Sequence, residues 1–346
     1  MRNLVSVQIV KAVDEIPGAD NIECITVLGW KLVAAKGEFH VGDKCVYFEV
    51  DSFLPLEDKY SFLLKSSYLN DAFLGEGIRI RTQTRLGQIS QGLAMPLDAF
   101  GLDDNTEVGT DLTDRLHVRK WERPERISDF GKLLKGLPDD IPETDETRIQ
   151  TIYDDIIPEF EGKEYYISTK INGTSVTFFI RDGKFGICSH CNEVVLDPSV
   201  PSFLWDYAKK HDIEDRMRAA GLDNIAIQGE LAGEGIQKNQ LRIKGFKWFV
   251  FTIKDLSSGR RLGLREMQEI CERVGLETVP IEEIGENLSS AYPTLNDILE
   301  RAKGLYPSGL KKEGIVIRPT IPCESVTLGT DLSFKVLNND FLLKEK

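Results

Sequence analysis

From Leu4 to about Arg119 apolar and polar positions alternate in short runs, of which Cys45-Val46-Tyr47-Phe48-Glu49-Val50 is an example, and turn residues such as Pro17-Gly18-Ala19-Asp20 and Gly42-Asp43 separate them. Alternation sends successive side chains to opposite faces of a strand, so this region predicts several short strands in a small all-β barrel. Between Arg119 and Gln150 the pattern weakens and Pro124, Pro138 and Pro142 interrupt it; a linker is expected, with one short helix around 130–137. Two β-prone runs then flank a lysine, Tyr165-Tyr166-Ile167-Ser168-Thr169 before Lys170 and Thr174-Ser175-Val176-Thr177-Phe178-Phe179-Ile180 after it. Gly173 between them permits a tight turn or a close backbone approach. Asp182-Gly183 predicts a turn into Phe185-Gly186-Ile187-Cys188. Phe203, Leu204, Tyr207, Ala208 and Met217 have helical spacing from Pro201 to Ala220, stopping at Gly221. Leu264, Met267, Ile270 and Cys271 predict a second helix from Gly263 to Val274, and Thr294-Leu295-Asn296-Asp297 reads as the capping box of a third. Strands mixed with helices make this half α+β.

Composition narrows the class. A chain of 346 residues, 41% of them hydrophobic, can bury a sizeable core in two domains. No apolar run is long enough to span a bilayer, and Met1-Arg2-Asn3-Leu4-Val5-Ser6-Val7 lacks the features of a secretory signal, so no membrane partner and an intracellular place, cytoplasmic or nuclear, are expected. The six cysteines mostly sit in apolar patterns, as buried free thiols do. Cys188-Ser189-His190-Cys191 has the spacing of half a zinc site, but no second Cys-x-x-Cys follows, and a strand end is the better reading. A net charge of -13 argues against a nonspecific polyanion binder, although local basic runs stand out: Lys238, Arg242, Lys244 and Lys247; Arg79, Arg81 and Arg85; Lys311 and Lys312.

Lys170 is the candidate reactive group. Among apolar neighbours and other cations an amine loses its proton more easily than a free one, whose pKa is about 10.4, and can act as a nucleophile. An isolated Lys-x-x-Gly is most often an ordinary surface hairpin. Here, however, it is followed in order by Gln228-Gly229-Glu230-Leu231-Ala232-Gly233, Lys247-Trp248-Phe249-Val250-Phe251, Lys312-Glu313-Gly314-Ile315-Val316-Ile317-Arg318 and Ser333-Phe334-Lys335-Val336. Together these resemble motifs I, III, IIIa, IV and V of the covalent nucleotidyltransferases, the RNA ligases, DNA ligases and mRNA capping enzymes. The resemblance implies Lys170 as the nucleophile that takes AMP, Glu230 as the motif III carboxylate at the ribose or a metal-bound water, and Glu313 as the motif IV carboxylate near the metal. It also implies Phe251 as the aromatic stacked on the purine and Lys335 as the motif V lysine on the α-phosphate, with Thr169 and Ile171 beside adenine. Ser175 stands where some RNA ligases have Asn, and Ser189-His190 where others place a ribose-contacting motif. Two departures are visible: Asn172 replaces the motif I Asp of DNA ligases, and Leu337 replaces a second motif V lysine. Lys312 or Arg318 is a candidate replacement cation, Arg148 shortly before the nucleophile motif a candidate phosphate-binding arginine, and Arg79 and Arg81 candidate RNA contacts.

The first third, from Gly18-Ala19-Asp20-Asn21-Ile22-Glu23 through Val41-Gly42-Asp43-Lys44-Cys45-Val46-Tyr47, looks like the OB-folds used as tRNA-binding modules. DNA ligases and capping enzymes carry an OB domain after motif V, whereas here it comes first and the chain ends soon after Lys335. That order resembles the Deinococcus- and Naegleria-type RNA ligases. The expectation is an all-β OB-fold domain over 1–120, a linker over 121–150, and an α+β nucleotidyltransferase (ATP-grasp-like ligase) domain over 151–346. Implied with it are an ATP-dependent RNA ligase with Mn2+ or Mg2+, a monomer acting on nicked duplex RNA or an RNA/DNA hybrid with an RNA 3′-OH end. A GTP-using capping-type enzyme and a non-catalytic RNA-binding protein are the alternatives.

Overall fold

The structure, a computed structural model, describes residues 3–122 and 134–343. They fall into two compact units, one of residues 3–122 with 150–153 and Leu343, the other of 134–149 with 154–342.

The first unit is built on the long strand Val5–Glu15. Its first half pairs with Lys44–Phe48, and its second half, beyond an irregularity between Val10 and Ala12, pairs with Ile22–Val27. One strand thereby serves two neighbours on its way round, because a bulge bends and twists the strand that carries it. Leu93–Pro96 and Trp30–Ala35 complete five strands; Arg119–Lys120, Ser52–Leu54, Gly75–Arg79 and Tyr68–Asp71 form a second sheet of four. Val5, Val7, Val46, Phe48, Tyr60 and Ile78 fill one core, and Val10, Ile25, Trp30 and Tyr47 another. Residues 150–153 count with this unit: Trp30 Nε1 donates to Thr151 Oγ1 at 3.3 Å, and Thr151 Oγ1 donates to Glu49 Oε1 at 3.0 Å.

The second unit contains two antiparallel sheets. Seven strands run in the order Leu134–Gly136, Asn192–Val194, Lys184–Cys188, Thr174–Arg181, Ile225–Gly233, Phe246–Asp255 and Glu277–Thr278, only the last joined in parallel. The other sheet orders Ile281–Gly285, Tyr165–Lys170, Gly314–Pro319 and Phe334–Leu337. Thr174–Arg181 is central and almost wholly buried: Phe178 joins the helix-side core with Trp248, Tyr207, Leu204 and Met267, while its neighbour Phe179 packs on the reverse face with Ile141 and Ala226. The period-two rule thus separates two cores on one strand.

Several expectations change. The strands either side of Lys170 are not a hairpin: Tyr165–Lys170 pairs with Gly314–Pro319 and Ile281–Gly285, and Thr174–Arg181 pairs in the other sheet. Gly173 serves the close approach, since a Cβ there would overlap the Leu231 carbonyl. The helix expected from Pro201 to Ala220 is two, Phe203–Lys210 and Ile213–Ala219, broken at Asp212 with φ 51°. Ile213 and Met217 keep the buried stripe in phase across the break, which is why spacing alone does not show it. Of the short helix expected over 130–137, residues 130–133 lie outside the described residues, and Leu134–Gly136 is a strand. The segment from 134 to 149, expected as linker, packs within the second unit. Leu264–Val274 ends at Gly275 in the left-handed region, and Thr294 caps Leu295–Arg301 with Asp297, both as the sequence reads. No helix among the described residues is long and apolar enough to cross a membrane.

Phe178 is fully buried, with its ring edge-on to Trp248 at 4.6 Å and stacked near Tyr207 and Phe185. Truncating it in Phe178→Ala removes those contacts and leaves a cavity between sheet and helices. Denaturant unfolding should show a loss of about 3–5 kcal/mol.

Candidate active site

The chain leaves one sheet at Lys170 and enters the other at Thr174, and a cleft opens at this passage. Lys170, Ser168, Val316, Arg318 and Lys335 line it from the four-stranded sheet, Glu230 and Phe251 from the seven-stranded one, and Thr144, Asp145 and Glu146 from the segment before.

Antiparallel pairing of Lys170 with Gly314 brings Glu313 beside the lysine, and Lys170 Nζ lies 2.9 Å from Glu313 Oε1 with its side chain one quarter exposed. Burial alone would lower the pKa of Lys170, but the carboxylates of Glu313 and Glu230 outweigh it and raise the pKa. The expectation of an amine that readily loses its proton is therefore corrected: in the cleft as it stands the two carboxylates favour the charged form of Lys170. The depressed amine is Lys335, which burial lowers, aided by Arg148 and Lys170 and opposed by Asp145. Lys335 Nζ donates to Asp145 Oδ1, and its backbone N–H donates to Thr147 O at 2.9 Å. Arg148 bridges to Lys335 in parallel, so the segment 145–148 forms an added edge beside Phe334–Leu337. Arg318 is committed to Glu146 at 2.6 Å, to the Phe251 carbonyl and to Ser333 Oγ. Glu146 is held below its ordinary pKa, since Arg318 and Arg261 outweigh the burial that would raise it.

Not every expected residue reaches the cleft. Thr169, Ile171, Glu230 and Phe251 line it. Ser175 and His190 meet one step behind, both on Thr144 Oγ1, at 2.7 and 3.2 Å. Lys312 faces the other way: its amine is buried against both carboxylate oxygens of Glu282 at 2.7 Å, in a separate cavity. Glu313 does not itself line the cleft but reaches it through Lys170, while Lys312, one residue before, is turned to Glu282. Arg79 is tied to Asp51 at 2.7 Å and lies 3.3 Å over the Trp121 ring, and Arg81 donates to the Ser66 carbonyl. Arg79 is thus a packing element of the first unit. Cys188 is buried with its thiol pushed up to about 12 by burial, Cys191 is exposed, and no cluster of three or more metal-ligating side chains occurs among the described residues.

Two groups that the sequence did not single out hold the site together. The Tyr306 hydroxyl donates to Lys170 O at 2.7 Å and accepts from Asn172 N and Glu313 N, both at 3.1 Å, joining the two motif ends. Glu282 accepts from Thr169 Oγ1 at 2.7 Å as well as from Lys312 and Arg301, so it grips the residues just before Lys170 and just before Glu313 from behind. Tyr306 sits in the turn Gly304-Leu305-Tyr306-Pro307, where no periodicity marks a role.

A family model described as RNA ligase matches residues 163–337, and one described as an OB-fold domain matches residues 4–97. Among solved structures, a Naegleria gruberi RNA ligase lysine-to-methionine mutant with AMP and Mn is 30% identical over 99% of both chains, with a TM-score of 0.88. The Naegleria gruberi RNA ligase with PPi is 31% identical over 100% of this chain and 99% of that one, with a TM-score of 0.87. An arginine-to-alanine mutant of the same ligase with ATP and Mn is 30% identical over 99% of both chains, also with a TM-score of 0.87. No curated protein sequence matches significantly. With both regions matched and the whole chain aligned to a solved RNA ligase, the chain belongs to the RNA ligase family and carries an OB-fold domain ahead of its ligase domain.

Proposed function

We propose that the chain is an ATP-dependent ligase that seals 3′-OH/5′-phosphate nicks in duplexes with an RNA 3′-OH end, working as a monomer through a lysyl-AMP on Lys170. The observation that carries this reading is the pairing of Lys170 with Glu313 in a cleft that also holds Glu230, Phe251 and Lys335. The similar structures with ATP, AMP and PPi support the choice of nucleotide.

In the first step Lys170 Nζ forms a bond to the α-phosphorus, the bond to pyrophosphate breaks, and the amine gives up a proton. In the second a nucleic-acid 5′-phosphate oxygen takes the AMP and the N–P bond breaks. In the third the 3′-OH attacks the activated 5′-phosphorus, and AMP leaves. Each is an in-line displacement at an anionic phosphorus, so positioning and positive charge supply most of the rate. In this reading Lys335 and Arg148, on adjacent backbone, serve the phosphates. Phe251 lends a face to the base, and Tyr306 fixes the backbone at Lys170 and Glu313. Glu230 and Glu313 fit a hard divalent cation such as Mg2+ or Mn2+, which binds through one or two carboxylates and completes its shell with phosphate and water. Their fields already converge on the Lys170 ammonium, a positive charge in their midst. When bound, such an ion supplies charge to the triphosphate and offsets the field that keeps Lys170 protonated.

Incubation with α-labelled ATP and Mn2+ or Mg2+ should label the wild-type chain covalently, with no label from GTP and none in Lys170→Ala. A label from GTP alone would turn the reading toward a capping-type enzyme, and absence of any adduct toward a non-catalytic RNA-binding protein. On nicked duplexes with RNA or DNA at either side, a DNA 3′-OH should slow sealing by roughly 100-fold or more, as expected where a hydroxyl of the substrate is recognised; equal rates would refute the nick specificity. Because Glu313 raises the Lys170 pKa, removing that charge in Glu313→Gln should lower it. The pH curve for modification of Lys170 by an amine-directed reagent, measured without nucleotide, should then move to lower pH than in wild type, while adenylylation falls.

A further inference from the structure

Between the strands Ile225–Gly233 and Phe246–Asp255 the chain makes an excursion over residues 234–245, closed at its base by Glu234 N donating to Gly245 O at 2.9 Å. It is a chain of reverse turns, Ile236 N to Gly233 O, Asn239 N to Ile236 O and Arg242 N to Asn239 O, with Gln237, Asn239 and Arg242 all at positive φ. The Asn239 side chain holds both the N–H and the carbonyl of Ile243, and Ile236 is buried beneath. Two further bonds pin the loop to the reaction centre: Gln237 Nε2 donates to the Gly173 carbonyl at 3.3 Å, and Ser308 Oγ donates to the Gln240 carbonyl at 2.5 Å. The loop is therefore fixed against the same backbone passage that carries Lys170.

Its charges contrast with several paired cations of the second unit. Lys170, Lys335, Arg318, Lys312 and Lys247 each hold a carboxylate. Lys238, Arg242 and Lys244 are exposed and have no carboxylate partner among the described residues. No acidic residue lies between Glu234 and Asp255. On a chain of net charge -13, three uncommitted cations within seven residues of a pinned loop near Lys170 make a favourable landing point for a polyanion.

We propose that the 234–245 loop, through Lys238, Arg242 and Lys244, is the docking surface for backbone phosphates of the nicked duplex next to the nick. The proposal rests on the ligase reading above and adds where the nucleic acid is held. The contacts are sequence-independent, because phosphates position a duplex without reporting its bases.

The test uses the full chain with K238Q/R242N/K244Q, asparagine being chosen at 242 because it tolerates the left-handed backbone there (φ 54°). Binding of a nicked RNA duplex with a 3′-deoxy end, which cannot be sealed, is measured by anisotropy over a series of salt concentrations. The variant should form the adduct from ATP as wild type does, bind the nicked duplex more weakly, and show a slope of log affinity against log salt shallower by about 2–3, since each phosphate that a cation no longer neutralises lowers the slope by about 0.9. K238E/K244E, which leaves Arg242 untouched, should weaken binding further. Unchanged affinity and slope in both variants would overturn the proposal. Failure of the wild-type chain to form an adduct would instead sink the ligase reading, so the two failures are distinguishable.

Discussion

The backbone between Lys170 and Thr174 passes from one sheet to the other with no room for a side chain at Gly173, where the Leu231 carbonyl already lies against the glycine. The rest of the cleft follows from that passage. It ends the lysine strand where Lys170 faces Gly314, which sets Glu313 at the amine, and it starts the next strand so that Ser175 pairs with Glu230. Tyr306 secures the crossing by occupying the polar backbone groups that two interrupted strand ends would otherwise leave to solvent: one carbonyl and two N–H groups share its hydroxyl. A single phenol thus couples the position of Lys170 to that of Glu313.

Charge in the cleft is arranged in matched pairs, Lys170 with Glu313, Lys335 with Asp145 and Arg318 with Glu146. Buried ions left alone would be costly, so each cation is stored on a carboxylate until another anion arrives. The pairs differ in how firmly they are held. Arg318 also donates to the Phe251 carbonyl and Ser333, which makes it part of the frame, whereas the amine of Lys335 is disfavoured by burial and by two neighbouring cations. A phosphate at Lys335 would relieve that repulsion and release Asp145. The cleft thereby sets its disfavoured amine apart from the two carboxylates, Glu230 and Glu313, whose charge bears on Lys170.

Much of this is legible in the sequence because the signals are local or come in fixed order. Gly275, Thr294 and Asp182-Gly183 mark their elements by backbone chemistry that needs no partner, and the motif segments carry the cleft residues Lys170, Glu230, Phe251 and Lys335. What is not legible depends on pairing at a distance. Whether Lys170 sits in a hairpin or a crossing is decided by residues 281–319, not by its flanks. The proton affinity of Lys170 is hidden for the same reason, since the two carboxylates that raise it lie 60 and 143 positions along the chain. Asp145 and Glu146 escape notice because their segment lacks periodicity, yet it forms a sheet edge beside Lys335. Lys312 and Arg79 look available in the sequence because a basic residue in a run cannot show whether an acid already holds it.

The two departures from the motif pattern make sense in this geometry. An aspartate at 172 would set a third carboxylate next to Glu313 and Glu230, deepening the field that keeps Lys170 protonated; Asn172 instead donates its Nδ2 to Glu313 Oε2 at 3.4 Å and adds no charge. At 337 a lysine would share a strand face with Lys335, two positions away. Leu337 is buried, paired with Gly314 at the crossing, and an ammonium there would have to be desolvated. The second cation comes from the neighbouring segment, where Arg148 bridges to Lys335 and its charge bears on the Lys335 amine. Beside Lys335 a further cation therefore stands on the edge laid against the motif strand rather than on the strand itself, a placement that only the folded register can reveal.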